Sequence, residues 1–422
     1  MHRPSPRLLA LFLAIVSTAI GVAAASAASS SGWTRISGPA APGVQLGLAR
    51  GADGVLHVIW NRGATPTSIF ETRFSAAGKS TGTSTVATGW NGNGGLALVT
   101  MPDKTLRLFA AGTDGIHTFT APAAGKSWMA QAVGPWGGAV AEASAVIGAT
   151  LTKDGQPVTA WRGNAAEGAP PASIPQNGYE GGMGESFLAT DAATGAVVLS
   201  GETNAGQGGA YVQQILPSPG PKVLATPLAK DWSVSTSGRI GAAGVYFANA
   251  DGKNVRFSRY RGSSKTLATG PYLSAALCAG PQGRLWVAWG DATDGLFLTR
   301  SSRAVGAFEP VQKLRAPSSN GLSYVQCEGS TGPVDLFAND GTGFWHTHLL
   351  AQLSVHAAAS HGKVTVSARD AGDPVAGASV SVGGLHLKTG ASGTVTLTLR
   401  PGSYSASVSA PGYATAKAAF HV

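Results

Sequence analysis

Aromatic side chains recur beside Asn, Asp and Arg at a small set of places in this chain. One set reads Trp60-Asn61-Arg62, Trp161-Arg162, Trp289-Gly290-Asp291 and Phe337-Ala338-Asn339-Asp340. A second set reads Trp90-Asn91-Gly92-Asn93, Trp136, Tyr179-Glu180, Trp232 and Tyr272. An aromatic ring offers a flat apolar plate, and the polar neighbours offer fixed hydrogen-bond partners. That combination suits a sugar, which has an apolar face and a rim of hydroxyls. The residues read as a ligand site are therefore Trp90, Asn91, Asn93, Trp136, Tyr179, Trp232, Tyr272, Arg62, Arg162 and Asp291. The same Trp recurrence also fits packing between repeated units, above all for Trp60, Trp161 and Trp289.

Other chemistries are poorly served. His346 and His348 are two apart on a strand and so share a face; with a third ligand they would clasp a metal, and without one they are ordinary strand histidines. Glycoside hydrolysis needs two carboxylates about 5 to 9.5 Å apart, or a Tyr nucleophile. Tyr179, Glu180 and Glu185 stand in one Gly/Pro-rich stretch and read as loop residues. No nucleophile elbow, phosphate loop or zinc helix is present. No catalytic residue, metal or cofactor is assigned.

The elements that must carry these residues are strands. Gly (59) and Pro (24) make up about a fifth of the 422 residues, while charged residues are only 12% and hydrophobic ones 43%. Disorder needs the opposite balance, and helical bundles do not tolerate breakers at this density. Apolar runs punctuated by turn residues point to an all-β chain.

Apolar hairpins repeat along residues 33–350. Pairs of runs fall at 44–49 and 56–60, 96–99 and 106–109, 145–148 and 157–161, 186–189 and 196–199, 239–242 and 245–247, 273–278 and 285–289, and 322–327 and 333–337. Turns such as Asp53-Gly54, Asp154-Gly155 and Thr194-Gly195 separate them. The period of about 45 residues leaves room for four short strands. Third strands follow at 68–74, 116–119, 211–215, 255–260 and 296–299. Fourth strands end in a repeated phrase: Val86-Ala87-Thr88-Gly89, Leu224-Ala225-Thr226-Pro227 and Leu267-Ala268-Thr269-Gly270.

A four-stranded sheet cannot cover both its faces alone, so such units stack around an axis. The expected architecture is a seven-bladed β-propeller. Six blades remain the alternative, because 163–184 in the third unit reads as a long loop. The seventh unit lacks a fourth strand, which Trp33-Thr34-Arg35-Ile36 would supply, closing the ring and removing an open edge.

Residues 1–27 read as a signal peptide. Arg3 and Arg7 precede an apolar run over 8–22 and a small-residue cleavage site, Ala25-Ser26-Ala27. The run is too short to span a bilayer, and no later stretch spans one, so the chain is expected to be secreted. Removing two of the 30 basic residues leaves 28 − 21 = +7. That charge is spread too thinly for nucleic-acid binding. With only Cys278 and Cys327, an exported chain is expected to form one disulfide.

After a linker over 351–362 the texture changes to strict alternation over 363–422. Asp373-Pro374-Val375-Ala376-Gly377-Ala378-Ser379-Val380, Thr389-Gly390-Ala391-Ser392-Gly393-Thr394-Val395, Pro401-Gly402-Ser403-Tyr404 and Ala410-Pro411-Gly412-Tyr413 follow in that order. This series resembles the carboxypeptidase-regulatory-like, transthyretin-like β-sandwich, and the resemblance implies an accessory module without catalysis. The propeller reading is similar to sialidases in architecture alone. Their repeated Ser-x-Asp-x-Gly-x-Thr-Trp turn is approached only by Asn339-Asp340-Gly341-Thr342-Gly343-Phe344-Trp345, with the wrong spacing. The expectation is a secreted, monomeric, non-catalytic recognition protein for a glycan or another extracellular or envelope ligand such as a protein. A sialidase-like hydrolase and a structural or adhesive surface protein are the alternatives.

Overall fold

A computed structural model describes residues 32–38, 46–62, 66–92, 96–112, 115–130, 148–151, 157–162, 165–167, 183–190, 195–203, 209–216, 223–225, 235–241, 244–291, 295–318, 320–322 and 324–422. Residues 1–27, read as a signal peptide, lie outside them. The chain is all-β, built from antiparallel sheets.

Among the described residues, six sheets of four strands and one of three precede residue 350. Sheet one comprises Gly47–Arg50, Leu56–Trp60, Thr67–Phe74 and Ser80–Trp90. Sheet two comprises Leu96–Thr100, Leu106–Gly112, Gly115–Ala121 and Met129–Ala130. Sheet three has Gly148–Leu151, Pro157–Arg162 and Ala165–Glu167. Sheet four has Met183–Thr190, Val197–Thr203, Gly209–Leu216 and Val223–Ala225. Sheet five has Ser235–Gly241, Gly244–Ala250, Asn254–Arg259 and Ser264–Thr269. Sheet six has Tyr272–Ala279, Leu285–Asp291, Gly295–Arg300 and Gln312–Arg315.

Sheet seven has Tyr324–Glu328, Val334–Asn339 and Phe344–Leu349, and Thr34–Arg35 is its fourth strand, pairing Thr34 with His346 and Arg35 with Trp345. The N-terminal strand thus completes the last sheet, as the sequence predicts. Trp33 donates its indole N–H to the Arg315 carbonyl at 2.7 Å, which ties this strand to sheet six as well.

The second strands Leu56–Trp60 and Val334–Asn339 are buried along their whole length, because neighbouring sheets cover both their faces. The outermost strand Ser80–Trp90 is mostly exposed along its length. Apolar side chains fill the gaps between sheets. Ile59, Ile69 and Trp90 of sheet one meet Leu96, Leu98 and Leu108 of sheet two. Tyr246, Val255 and Phe257 of sheet five meet Tyr272, Leu277 and Trp289 of sheet six. Leu46, Trp60 and Phe74 at sheet one meet Phe337 and Phe344 of sheet seven.

First strands touch in the cycle one–two–four–five–six–seven–one, and the first strand of sheet three lies against sheet four. Neighbouring sheets approach closely here: a Cβ on Gly47 would lie 3.0 Å from Leu98 Cβ of the next first strand, and one on Gly238 would collide with Val212 in the third strand of sheet four. Cys278 and Cys327 form a disulfide between the first strands of sheets six and seven, with Cα atoms 5.8 Å apart.

The segment read as a linker is different. Ser354–Ser360 is a strand pairing Lys363–Asp370, with Val355, Ala357 and Ala359 facing the core. Alanine and serine give little hydropathy contrast, so its alternation is faint in the sequence. Two four-stranded sheets follow. One holds Ser354–Ser360, Lys363–Asp370, Asp373–Pro374 and Thr394–Thr398; the other holds Leu385–Lys388, Ser379–Val382, Ser403–Ser409 and Ala416–His421. They share one core around Val364, Val366, Val380, Leu397, Ala406 and Val408.

Candidate binding face

Antiparallel order places the turns between second and third strands at one end of each sheet, together with the connections from one sheet to the next. Turns between first and second strands lie at the opposite end. Where sheet seven meets sheet one, the first of these ends carries a compact polar and aromatic surface.

The turn after Val334–Asn339 is built by its own side chains. Asp340 Oδ1 accepts from the Thr342 N–H (2.8 Å), the Gly343 N–H (3.1 Å) and the Thr342 hydroxyl (2.7 Å), while Asn339 Oδ1 accepts from the Gly341 N–H at 2.9 Å. Burial opposes the Asp340 charge, yet hydrogen bonds from Ser318 and Thr342 hold its carboxyl below the ordinary value. Gly343 must be glycine, since a Cβ there would come 2.9 Å from Arg35 Nε and from the Gly38 carbonyl. The N-terminal strand locks on through Ile36 N–H to Phe344 O (2.9 Å) and Phe344 N–H to Ser37 Oγ (2.8 Å).

Two guanidinium–aromatic pairs sit on this frame. Arg35 donates to the Thr342 carbonyl and lies over the half-buried Trp345 ring, 5.7 Å from its centroid. Arg62 is exposed and lies over Phe70 at 5.5 Å; Phe70 in turn stacks on Trp60 at 4.5 Å. Gly38 joins the pairs, since a Cβ on it would be 3.8 Å from Arg62 Nε. The arrangement offers partly exposed ring surface beside fixed donors, able to stack a flat apolar face and hydrogen-bond its rim.

The sequence-predicted site residues divide. Arg62 belongs to this surface. Trp90 is buried between sheets one and two, edge-on to His117 at 5.0 Å and Phe119 at 6.2 Å. Tyr272 is likewise buried, edge-on to Trp289 at 6.3 Å and Phe297 at 5.7 Å. Asn91 is exposed beside Trp90. Arg162 and Asp291 end second strands, opposite Ala165 and Tyr272 respectively. Asn93, Trp136, Tyr179, Glu180 and Trp232 lie outside the described residues. Trp60 packs with its indole N–H on Thr72 Oγ1 at 2.9 Å, and Trp289 stacks on Phe297 at 5.9 Å. Sequence reasoning missed Arg35, Phe70 and Trp345. The proposed closure of the last sheet is the signal that would have found Arg35 and Trp345, because it puts the two in register.

At the opposite end the described residues form buried ion networks. Asp335 Oδ1 is shared by His346 Nε2 (2.8 Å) and His348 Nδ1 (2.9 Å), and Arg50 reaches Asp335 Oδ2 at 2.8 Å and Glu328. The two histidines do share a face, and what they share is this carboxylate. Burial opposes the Asp335 charge, but these partners hold it far below the ordinary range. Among the described residues no group of three His, Cys, Asp or Glu side chains could hold a metal ion. Between sheets one and two, Glu71 pairs with His57 Nδ1 at 2.7 Å and Arg73 at 2.9 Å. Both His57 and Glu71 are fully buried and so act as structural staples.

No protein-family model matches the chain. No curated protein matches it either. Among solved structures it is similar to a variant of the Aleuria aurantia lectin in complex with Fucα1-6GlcNAc, at 10% identity and a TM-score of 0.40, covering 78% of this chain and 97% of that one. It is also similar to a mutant of AofleA from Arthrobotrys oligospora, at 9% identity and 0.40, covering 87% and 93%. A third is the SapL1 lectin in complex with alpha methyl fucoside, at 13% identity and 0.39, covering 80% and 97%.

Proposed function

We propose that this is an exported, non-catalytic recognition protein whose residues 33–350 form a β-propeller and bind a glycan at the end where sheets seven and one meet. The observation that carries the reading is the pair of guanidinium–aromatic contacts, Arg35 on Trp345 and Arg62 on Phe70, side by side on a frame tied down by the N-terminal strand. The cycle of first-strand contacts supports a closed ring, and the adjacency of sheets two and four favours six blades over seven. Binding is favoured over hydrolysis because the buried carboxylates Glu71 and Asp335 are committed to His and Arg partners. Residues 351–422 are read as an accessory β-sandwich of the carboxypeptidase-regulatory-like kind.

The test is a glycan-array screen of the mature chain with Arg62→Ala, Trp345→Ala and, as an exposed control outside the proposed site, Asn91→Ala. We expect one glycan class bound by the parent and by the control, and lost in the first two variants. Binding unchanged in Arg62→Ala and Trp345→Ala would reject the site. No binding to any glycan would favour the structural or adhesive alternative.

A further inference from the structure

The C-terminal sheets are docked on sheets six and seven at the end opposite the candidate binding face. Backbone bonds join them: Ala351 N–H to Gly412 O at 3.1 Å and Ala414 N–H to Ala351 O at 2.8 Å. Beside these lies a buried cluster of charge. Arg284, in the turn between the first two strands of sheet six, reaches Asp370 Oδ2 at 2.9 Å and Asp373 at 2.7 Å. Arg300, at the end of the third strand, reaches Asp370 at 3.3 Å and lies over the rings of Trp286 (5.1 Å) and Tyr413 (5.6 Å). The Tyr413 hydroxyl donates to Asp370 Oδ2 at 2.5 Å, and the Arg303 N–H donates to Asp373 at 2.7 Å. Arg369 turns away to the Gly372 carbonyl.

Two arginines and two aspartates already balance. A third carboxyl, that of Glu309, is buried and held across from Arg300 by the Glu309 N–H on the Arg300 carbonyl at 2.9 Å. Its carboxyl lies beside Asp370, and both its oxygens and Asp370 Oδ1 are buried with no hydrogen-bond donor. An ionised Glu309 would add an unmatched buried charge, whereas a protonated one donates to Asp370 Oδ1 and satisfies both.

We propose that a proton held on Glu309 and donated to Asp370 across the seam latches the C-terminal sheets to the ring, so that docking weakens as pH rises and that proton is lost. Burial first, and the neighbouring Asp370 second, push Glu309 up to about 8 from an ordinary 4.5. Burial and Asp370 likewise push Tyr413 up to about 12, so it stays a donor throughout. The sign follows. A group raised by docking favours the docked state at low pH, and that contribution is lost as pH climbs from about 4.5 to about 8, then changes no further. The docking equilibrium weakens about tenfold per pH unit across that window, on the order of a thousandfold in all.

The test uses the full mature chain and its Glu309→Gln variant, whose amide donates as the protonated acid does. Tryptic cleavage after Arg284, in a turn that the docked sheets bury, reports the undocked population. The ratio of the parent's rate to the variant's, which cancels the protease's own pH profile, should rise through the window and level off above about pH 8. A flat ratio would overturn the proposal. Should the variant fail to fold, infrared spectroscopy of the parent decides: a protonated carboxyl band at neutral pH that fades near pH 8 is expected, and its absence rejects the latch.

Discussion

Glu71 is an ionisable side chain with no exposure, and its partners decide its charge. Burial opposes ionisation, yet His57 and the Lys126 N–H hold it at about 2, from an ordinary 4.5. A depressed carboxyl stabilises the fold above its unfolded value and loses that contribution as pH falls through the folded one. Here the window runs from about 4.5 down to about 2 and carries about 3 kcal/mol. Glu71→Gln should remove that acid-dependent step from a plot of melting temperature against pH; parallel profiles for parent and variant would contradict the assignment. Trp90 belongs to packing on the same scale. Trp90→Ala should cost about 3 to 5 kcal/mol in denaturant unfolding, whereas Arg62→Ala, at an exposed position, should leave the midpoint unchanged. Trp90 shows what the sequence left undecided: its type and its polar neighbours fit a sugar plate, but burial between two sheets is a property of stacking that a single sequence does not display.

Elements were the most legible level. Leu56–Trp60 and Leu106–Gly112 stand out as apolar runs, because strands covered on both faces need no polar alternation. The N-terminal closure was legible too, from a missing fourth strand at one end of the chain and a spare one at the other. Ser354–Ser360 was not, since small residues suffice where a strand packs on a thin core. Two predictions belong here. Deleting residues 32–38 uncovers the edge of Phe344–Leu349 and should promote association, read as a rise in particle size by light scattering. Replacing Cys278 and Cys327 by Ala opens a cross-link with a sequence separation of 49. In the chain-entropy model this costs up to about 4 kcal/mol, seen as a lower denaturant midpoint; an unchanged midpoint would mean that neighbouring packing alone fixes sheets six and seven.

For the whole molecule, the two ends of the sheets do different work. One end is stapled by buried ion networks, Arg50 with Glu328 and Asp335 between sheets seven and one, and Glu71 with His57 and Arg73, and it carries the docked C-terminal sheets. The other end keeps Arg62 exposed and Trp345 and Phe70 partly so. A frame stapled below would leave the upper end free to vary the proposed ligand contacts, the usual division between scaffold and loops. The most direct measurement is a crystal structure of residues 28–422 soaked with the glycan that scores highest on the array. The account predicts sugar density stacked on Trp345 or Phe70 within hydrogen-bonding reach of Arg35 and Arg62. Density lodged at another junction between sheets, or on the C-terminal sheets, would contradict it.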